Sequence, residues 1–378
     1  MGSRQTWLPM PVQSFIAKAA MKKQCVFCGN RPEAKTKEHV IPAWLIKMTG
    51  DPKRMASFIS GLTPTTACPS RQFSFDQFSF PACSRCNEKF SHLENNAKEV
   101  ILNIFNDKTL SKNNILTLLD WFDKVRVGIW LGFFYLDKNF FNIIPNFYIN
   151  SRIGNADRML FISVDNYKKN NLSFCGANTP LFSLMPSVFS LRINNIVFTN
   201  ISYQNALLRR FGFPFLIDTQ LESDGYISTN IHDGFKRVML PIIRKGLPSY
   251  NLQIYQPIYS GIMQDEAFKS FFDTEYVSKY SDEAGNCGIF YELKKNNVKY
   301  LNEDDQVTLN RFKYENYEKN MLDTFITVYE LQMMAKLQNP VFNETDPRRA
   351  HLIKMQYNFA MNYNKQAIKM FKNQRRIK

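Results

Sequence analysis

The sequence predicts an α+β protein: a small module stapled by paired cysteines, followed by a larger mixed α/β accessory domain with a helical C-terminus. Three observations predict it. Two CxxC knuckles, Cys25-x-x-Cys28 and Cys83-x-x-Cys86, bracket the first part. Short apolar runs such as MLFISVD and VFSLRINNIVFTNIS, separated by Asn, Gly and Pro, mark the strands of a mixed sheet from about Phe140 to Met263. After Asp304 the pattern turns helical, most clearly in NMLDTFITVYELQMMAKL.

The 378 residues, 44% of them hydrophobic, suffice to bury a sizeable core in two or three domains. The expected divisions are an N-terminal extension (1–20), the knuckle module (21–105), a connecting helix (106–138), the mixed-sheet accessory region (139–300) and a helical basic C-terminal region (301–378). The most apolar stretch, Trp121 to Leu136, contains Asp123, Lys124 and Arg126, and its uncharged run from Val127 to Leu136 is too short to span a bilayer. It reads as a buried helix from Ser111 to about Leu136. With no compact apolar segment at the N-terminus, a cytoplasmic protein without membrane contact is expected.

Seven cysteines divide into the two knuckles and the single residues Cys68, Cys175 and Cys287. Two knuckles in a chain without an export signal read as a tetrahedral zinc site, each tight turn supplying two thiolates. The single cysteines read as small buried apolar residues. A four-cysteine zinc site is closed and holds structure, so any chemistry belongs to what it positions. Glu38-His39 follows the first knuckle; Asn87 directly follows the second and opens a helical pattern. In that pattern Phe90, Leu93, Ala97, Val100, Ile101 and Ile104 recur at helical spacing. The zinc thus clips a strand or turn bearing Glu38-His39 to a helix beginning near Asn87.

A neutral histidine is suited to take a proton from water near neutral pH. Glu38 and Asn87 offer hard oxygen ligands for a divalent cation such as Mg2+ or Mn2+, which would stabilise a leaving phosphate oxygen. Consecutive strand residues point to opposite faces, so Glu38 and His39 share a site only if the chain bends there.

In order, Cys25-x-x-Cys28, Glu38-His39-Val40-Ile41-Pro42 and Cys83-x-x-Cys86-Asn87 resemble the zinc-knuckle branch of the HNH endonuclease superfamily. Pro42-Ala43-Trp44-Leu45 and Ser91-His92-Leu93-Glu94 extend the resemblance to a group of bacterial HNH proteins, over about residues 22 to 105. The resemblance implies a ββα-metal, treble-clef fold and hydrolysis of nucleic-acid phosphodiesters. It implies His39 as general base, Glu38 and Asn87 as ligands of a catalytic Mg2+ or Mn2+, and His92 as an extra ligand or phosphate contact. The family's middle Asn has no counterpart here; Asp76 or Gln77 is the nearest substitute. Many relatives lie in bacterial defence or mobile elements, which makes a phage-defence effector a family-borne expectation. Other readings stand beside these: His39 capping a hairpin, Asn87 capping a helix, and a zinc module that binds nucleic acid without cutting it or staples an interaction surface.

The net charge of +15 favours anionic partners, nucleic acid first and an anionic membrane surface second; DNA ahead of RNA is an expectation of the HNH resemblance. Residues 1–100 hold fourteen Lys and Arg against seven Asp and Glu, a net +7. Lys35, Lys37, Arg85 and Lys89 flank the site as candidate phosphate contacts. The insertion between the knuckles, rich in Gly, Pro, Ser and Thr, reads as a loop or short elements beside the site, either a substrate flap or a solvated connector. From Pro347 onward nine Lys and Arg occur with no acid, on a helix whose Leu352, Met355, Phe359, Met361, Ile368 and Phe371 suggest packing on one side. Nucleic-acid contact, an exposed face and a membrane-surface segment are all open for it. The accessory region is the natural place for a protein partner or an oligomer contact. No phosphate-binding loop, dinucleotide fingerprint or internal repeat is present.

Overall fold

The computed structural model describes residues 24–32, 34, 36–58, 71–75, 79–136, 148–154, 157–165, 170–177, 179, 188–203, 215–221, 223, 227–232, 251–256, 290–294, 297–309, 317–337 and 347–377. The expected extension 1–20, Lys35, Cys68, Asp76, Gln77 and Cys287 lie outside them.

Strands β1 (Thr36–His39) and β4 (Ser79–Ala82) pair antiparallel, with His39 opposite Ser79 and Glu38 opposite Phe80. Between them stand a short helix, α1 (Ala43–Met48), and an antiparallel pair, β2 (Met55–Phe58) with β3 (Arg71–Ser74). The insertion is therefore built of short elements as expected. Its Arg54 acts within the fold: the guanidinium donates to Ile46 O at 3.1 Å and to Thr49 Oγ1 at 2.8 Å, closing the C-terminus of α1.

Helix α2 spans Ser84–Phe105, so it begins before Asn87 and not at it. The cap is Cys83, extended at φ −80° and ψ 150°. Asn87 lies a full turn inside, where its N–H donates to Cys83 O at 2.9 Å, which corrects the reading of Asn87 as a cap. The reason is geometric: Cys86 must sit on the first helical turn for its sulfur to face the other three. The expected stripe is buried through Phe90, Ala97, Val100, Ile101 and Ile104, with Leu93 packed at its edge.

Helix α3 (Lys112–Leu136) is buried without interruption from Trp121 to Leu131. Its Trp121 lies 6.0 Å from the Trp44 ring of α1, and Phe122 lies 6.3 Å and 5.2 Å from Phe189 and Phe198 of the large sheet. One apolar core therefore runs from Cys25 and Phe27 through α3 to Phe198 and Leu301. Among the described residues no helix is long and apolar enough to cross a membrane.

The large sheet has seven strands in the order β13-β12-β11-β5-β8-β7-β6: β5 (Asp157–Val164), β6 (Leu172–Cys175), β7 (Val188–Ile193), β8 (Ile196–Tyr203), β11 (Leu252–Gln256), β12 (Phe290–Lys294) and β13 (Asn297–Leu301). A separate pair joins β9 (Phe215–Leu221) to β10 (Ile227–His232). Every pairing in the large sheet is antiparallel, so the sheet is not mixed as expected. Antiparallel neighbours need only tight turns. Between β7 and β8, Asn194-Asn195 supplies one, with Asn194 at φ +52°.

Strand parity separates two layers of helix. Phe189 and Phe198 face α3, whereas Ser190, Arg192 and Val197 line a hollow with Met321, Thr324 and Phe325 of α4 (Tyr317–Leu337). Helix α4 packs against α5 (Pro347–Ile377), where Phe371 lies 5.0 Å from Phe325. On α5 the expected packing face holds for Met361, whereas Met355 and Phe359 are each 57% exposed. Met355 sits on the opposite side of the helix from buried Asn364, with Phe359 one turn on from Met355.

A buried amide anchors this pair of helices. Gln332 Nε2 donates to Gly176 O (2.6 Å) and Val188 O (2.7 Å), and its Oε1 accepts from Thr179 Oγ1 (2.7 Å) and Asn364 Nδ2 (2.9 Å). Gln332→Ala strands these partners and is expected to cost about 3 kcal/mol, read as a lowered urea midpoint.

Candidate functional site

The first knuckle is a tight turn. Gly29 N donates to Cys25 O at 2.9 Å and Cys25 N to Asn30 O at 2.8 Å. Gly29 has φ +79°, and a Cβ there would meet the Tyr148 ring at 2.4 Å, so only glycine serves. The knuckle is sewn to β4 by Val26 N donating to Pro81 O at 3.0 Å. Phe27 stacks on Phe90 of α2 at 4.1 Å.

The second knuckle is the start of α2. Cys83 N donates to Cys25 Sγ at 3.3 Å, and the Sγ atoms of Cys28 and Cys83 are 3.9 Å apart. The sulfurs of Cys25, Cys28, Cys83 and Cys86 all lie within 4.8 Å of one another. Zinc bonded to sulfur at about 2.3 Å in a tetrahedron spaces its ligands by about 3.8 Å, so the cluster has the dimensions of a zinc site. Burial pushes the Cys25 thiol up, and burial together with the neighbouring sulfurs pushes Cys86 up further. Four thiolates this close need a cation among them, and the residues fit zinc.

His39 ends β1, half-buried. Glu38 turns the other way, into the protein, where its carboxylate pairs with Lys124 Nζ of α3. Lys124 is 2% exposed at its side chain and pairs as well with Glu94 of α2. Its ammonium also lies 5.8 Å from the Phe27 ring centre. Seven residues separate Asn87 from Glu94, two helical turns, so both lie on the same side of α2. His92 is exposed on α2. Lys37, Arg85 and Lys89 are exposed, Lys89 with its ammonium 5.7 Å from the Phe90 ring centre.

The structure therefore gathers two constellations. One is the four sulfurs; the other is Glu38, Lys124 and Glu94, of which sequence reasoning found only the first member as a functional residue. Glu94 stood in the sequence inside the motif that carries the HNH resemblance, and Lys124 as a charge in an apolar run. Neither position carries a local sign that the two meet. Burial, opposed by Lys124 and reinforced by Glu38, pushes the Glu94 carboxyl up to about 7. Cys175, at the end of β6, has its thiol pushed up to about 12 by burial, in keeping with an unreactive cysteine. Among the described residues, the four cysteines are the one group of three or more His, Cys, Asp or Glu side chains gathered closely enough to hold a metal.

No protein-family model, curated protein or solved structure matches this chain.

Zinc analysis of the purified chain is expected to find one ion per molecule. Cys86→Ser should lose it to a chelator that leaves the wild-type site filled, with a lower melting temperature. Lys124→Met leaves two carboxylates buried without their ammonium, an expected loss of about 3–5 kcal/mol by urea unfolding at pH 8. Because folded Glu94 takes up a proton below about pH 7, well above the usual carboxylate range, folding gains stability as pH falls from 7 toward 4.5. Without the ammonium the Glu94 carboxyl is pushed up further, so the Lys124→Met deficit should be largest above pH 7, where wild-type Glu94 is ionised, and smaller once that group is protonated below it; a deficit independent of pH would assign the loss to packing alone.

Proposed function

We propose that this chain hydrolyses phosphodiester bonds of nucleic acid, DNA ahead of RNA, as an HNH-type endonuclease built on a four-cysteine zinc site. One observation carries the reading. The strand that ends in His39 is hydrogen-bonded to the strand that leads straight into Cys83, and α2 with Asn87 follows at once. Two antiparallel strands and a helix, joined by a zinc-sized sulfur cluster, are what the motif order leads one to expect of a ββα-metal unit.

In this reading the His39 imidazole takes a proton from water as the water attacks phosphorus on the side opposite the leaving oxygen. The P–O bond to the leaving group breaks, and that oxygen takes a proton from solvent. Exposed Lys37, Arg85 and Lys89 hold the phosphate backbone without reading bases. Zinc fixes the strand and helix relative to each other and takes no part in bond making.

The HNH resemblance also implies a catalytic Mg2+ or Mn2+ at Glu38 and Asn87, with His92 in reserve. The donor set does not match that expectation: Glu38 already answers a buried ammonium together with Glu94, and His92 is exposed on α2. No step is therefore routed through such an ion. The same commitment of Glu38 favours a second reading, a zinc module that binds nucleic acid without cutting it.

Purified protein and His39→Ala, incubated with supercoiled plasmid, single-stranded DNA and structured RNA in Mg2+, Mn2+ or chelator, separate the two. The nuclease reading expects cleavage that falls about a hundredfold or more in His39→Ala with zinc content unchanged. Salt-sensitive binding by both proteins without cleavage would establish the second reading instead.

A further inference from the structure

The outer side of α5 carries a basic ridge that the nuclease reading leaves unused. Lys354, Lys365, Lys369, Lys372 and Arg376 are all exposed, and the last four follow one another at steps of four, three and four residues. That spacing sets them in a row along one side of the helix, about 16 Å from Lys365 to Arg376 at 1.5 Å per residue. The inner side packs through Ala360, Asn364 and Ala367, so the ridge faces away from the protein.

One member of the row, Lys372, and one cation beside it, Arg375, are spent within the fold. Lys372 pairs with Glu330 at 2.8 Å and Arg375 with Asp323 at 3.0 Å, both acids on α4. Among the described residues, Lys354, Lys365, Lys369 and Arg376 have no acidic partner, and α5 itself contains no Asp or Glu. A row of like charges held at fixed spacing repels itself unless it meets an anion of matching length.

We infer that this ridge is a nucleic-acid-binding surface, engaged through phosphates and separate from the zinc module. A second copy of the chain would oppose like charges. An anionic bilayer takes up helices that offer it a broad apolar face, whereas among the described residues of α5 the exposed large apolar side chains are Met355 and Phe359, the aromatic Phe371 packs on α4, and the row itself is polar. A polynucleotide presents a line of regularly spaced negative charges, and its bases can stack on an exposed ring. Phe359, 57% exposed on another side of α5 six residues before Lys365, supplies such a ring. Helices α3 and α4 lie on opposite faces of the sheet, so the ridge and the zinc module stand on different sides of the molecule. The ridge acts as a tether that raises the local concentration of nucleic acid.

The test measures binding, not cleavage, and so stands apart from the catalytic reading. Lys365→Gln, Lys369→Gln and Arg376→Gln are combined in one chain, with Lys372 kept for its pair with Glu330 and an unchanged melting temperature required. Short labelled single-stranded and duplex oligonucleotides, and vesicles containing phosphatidylserine, are the probes. Expected is a loss of about tenfold or more in oligonucleotide affinity at low salt, with the log–log salt slope on duplex shallower by about 2 to 3. Unchanged affinity and slope would overturn the assignment, as would a loss confined to the vesicles. A chain that binds through the ridge yet cuts nothing overturns the nuclease reading and leaves the ridge assigned.

Discussion

A helix buried over much of its length must find inside the protein a partner for the charges it buries, and α3 carries five charges between Lys112 and Arg126. All five are paired, four of them with other parts of the chain. Lys112 pairs with Glu303 after β13 at 3.0 Å, and Lys124 with Glu38 and Glu94 of the zinc module. Asp120 and Asp123 pair with Arg158 of β5, and Asp123 also with Arg126. Asp123 accepts in addition from Gly154 N at 3.0 Å, and Arg158 Nε donates to Gln256 of β11 at 3.0 Å. Pairs of this kind gain little net stability, since desolvation offsets most of the attraction. Their effect is on geometry. A helix turned or slid by one residue would leave several buried charges unanswered at once, so rotation and register are fixed together. Burial draws the Arg126 guanidinium down to about 10 even beside Asp123, a measure of how dry this layer is.

That constraint reaches the candidate site through Lys124. A metal ion held by the four sulfurs would tie the two knuckles to each other, but nothing in a four-sulfur cluster orients the strand that carries His39 toward the rest of the protein. The ammonium supplies the link, because Glu38 is the residue before His39 and Glu94 lies two turns beyond Asn87. Strand β1, helix α2 and helix α3 thus meet at one nitrogen. Close contact of Val40 with Gly128 adds an apolar seam beside it, where an added Cβ would stand 3.3 Å from a Val40 methyl. The acid of the Glu38-His39 pair thereby acts as an anchor for the strand, and the histidine is the member left facing away from that anchor.

What was legible in the sequence followed local pattern. The knuckles declared themselves by spacing, α2 by its apolar stripe, and α3 by a charged apolar run too short for a bilayer. The pairings of Lys124 join residues 86 and 30 positions away, and no local pattern encodes them. The antiparallel character of the sheet was hidden for a different reason. Residues 158–165 and 188–193 are buried on both faces, so the alternation that distinguishes a half-exposed strand is absent. On α5 the composition was read correctly as basic, whereas the direction of Met355 and Phe359 depends on where α4 sits, which the helix's own sequence does not contain.

The same burial explains where the net charge acts. The α3 network counts Lys112, Lys124, Arg126 and Arg158 against Asp120, Asp123, Glu38, Glu94 and Glu303, one negative charge in excess when all are ionised. Four thiolates holding one divalent ion would add two more negative charges. The α3 network therefore contributes none of the +15, and the whole positive excess belongs to the rest of the chain. Charge placed at the surface is screened over roughly 8 Å at physiological salt. Its reach is short, and it is effective where it is ordered, as along a helix that holds its cations in a row. Because the cations of the α3 network are already answered within the protein, a charge met at such a row need not break any of the pairs that hold α3 in place.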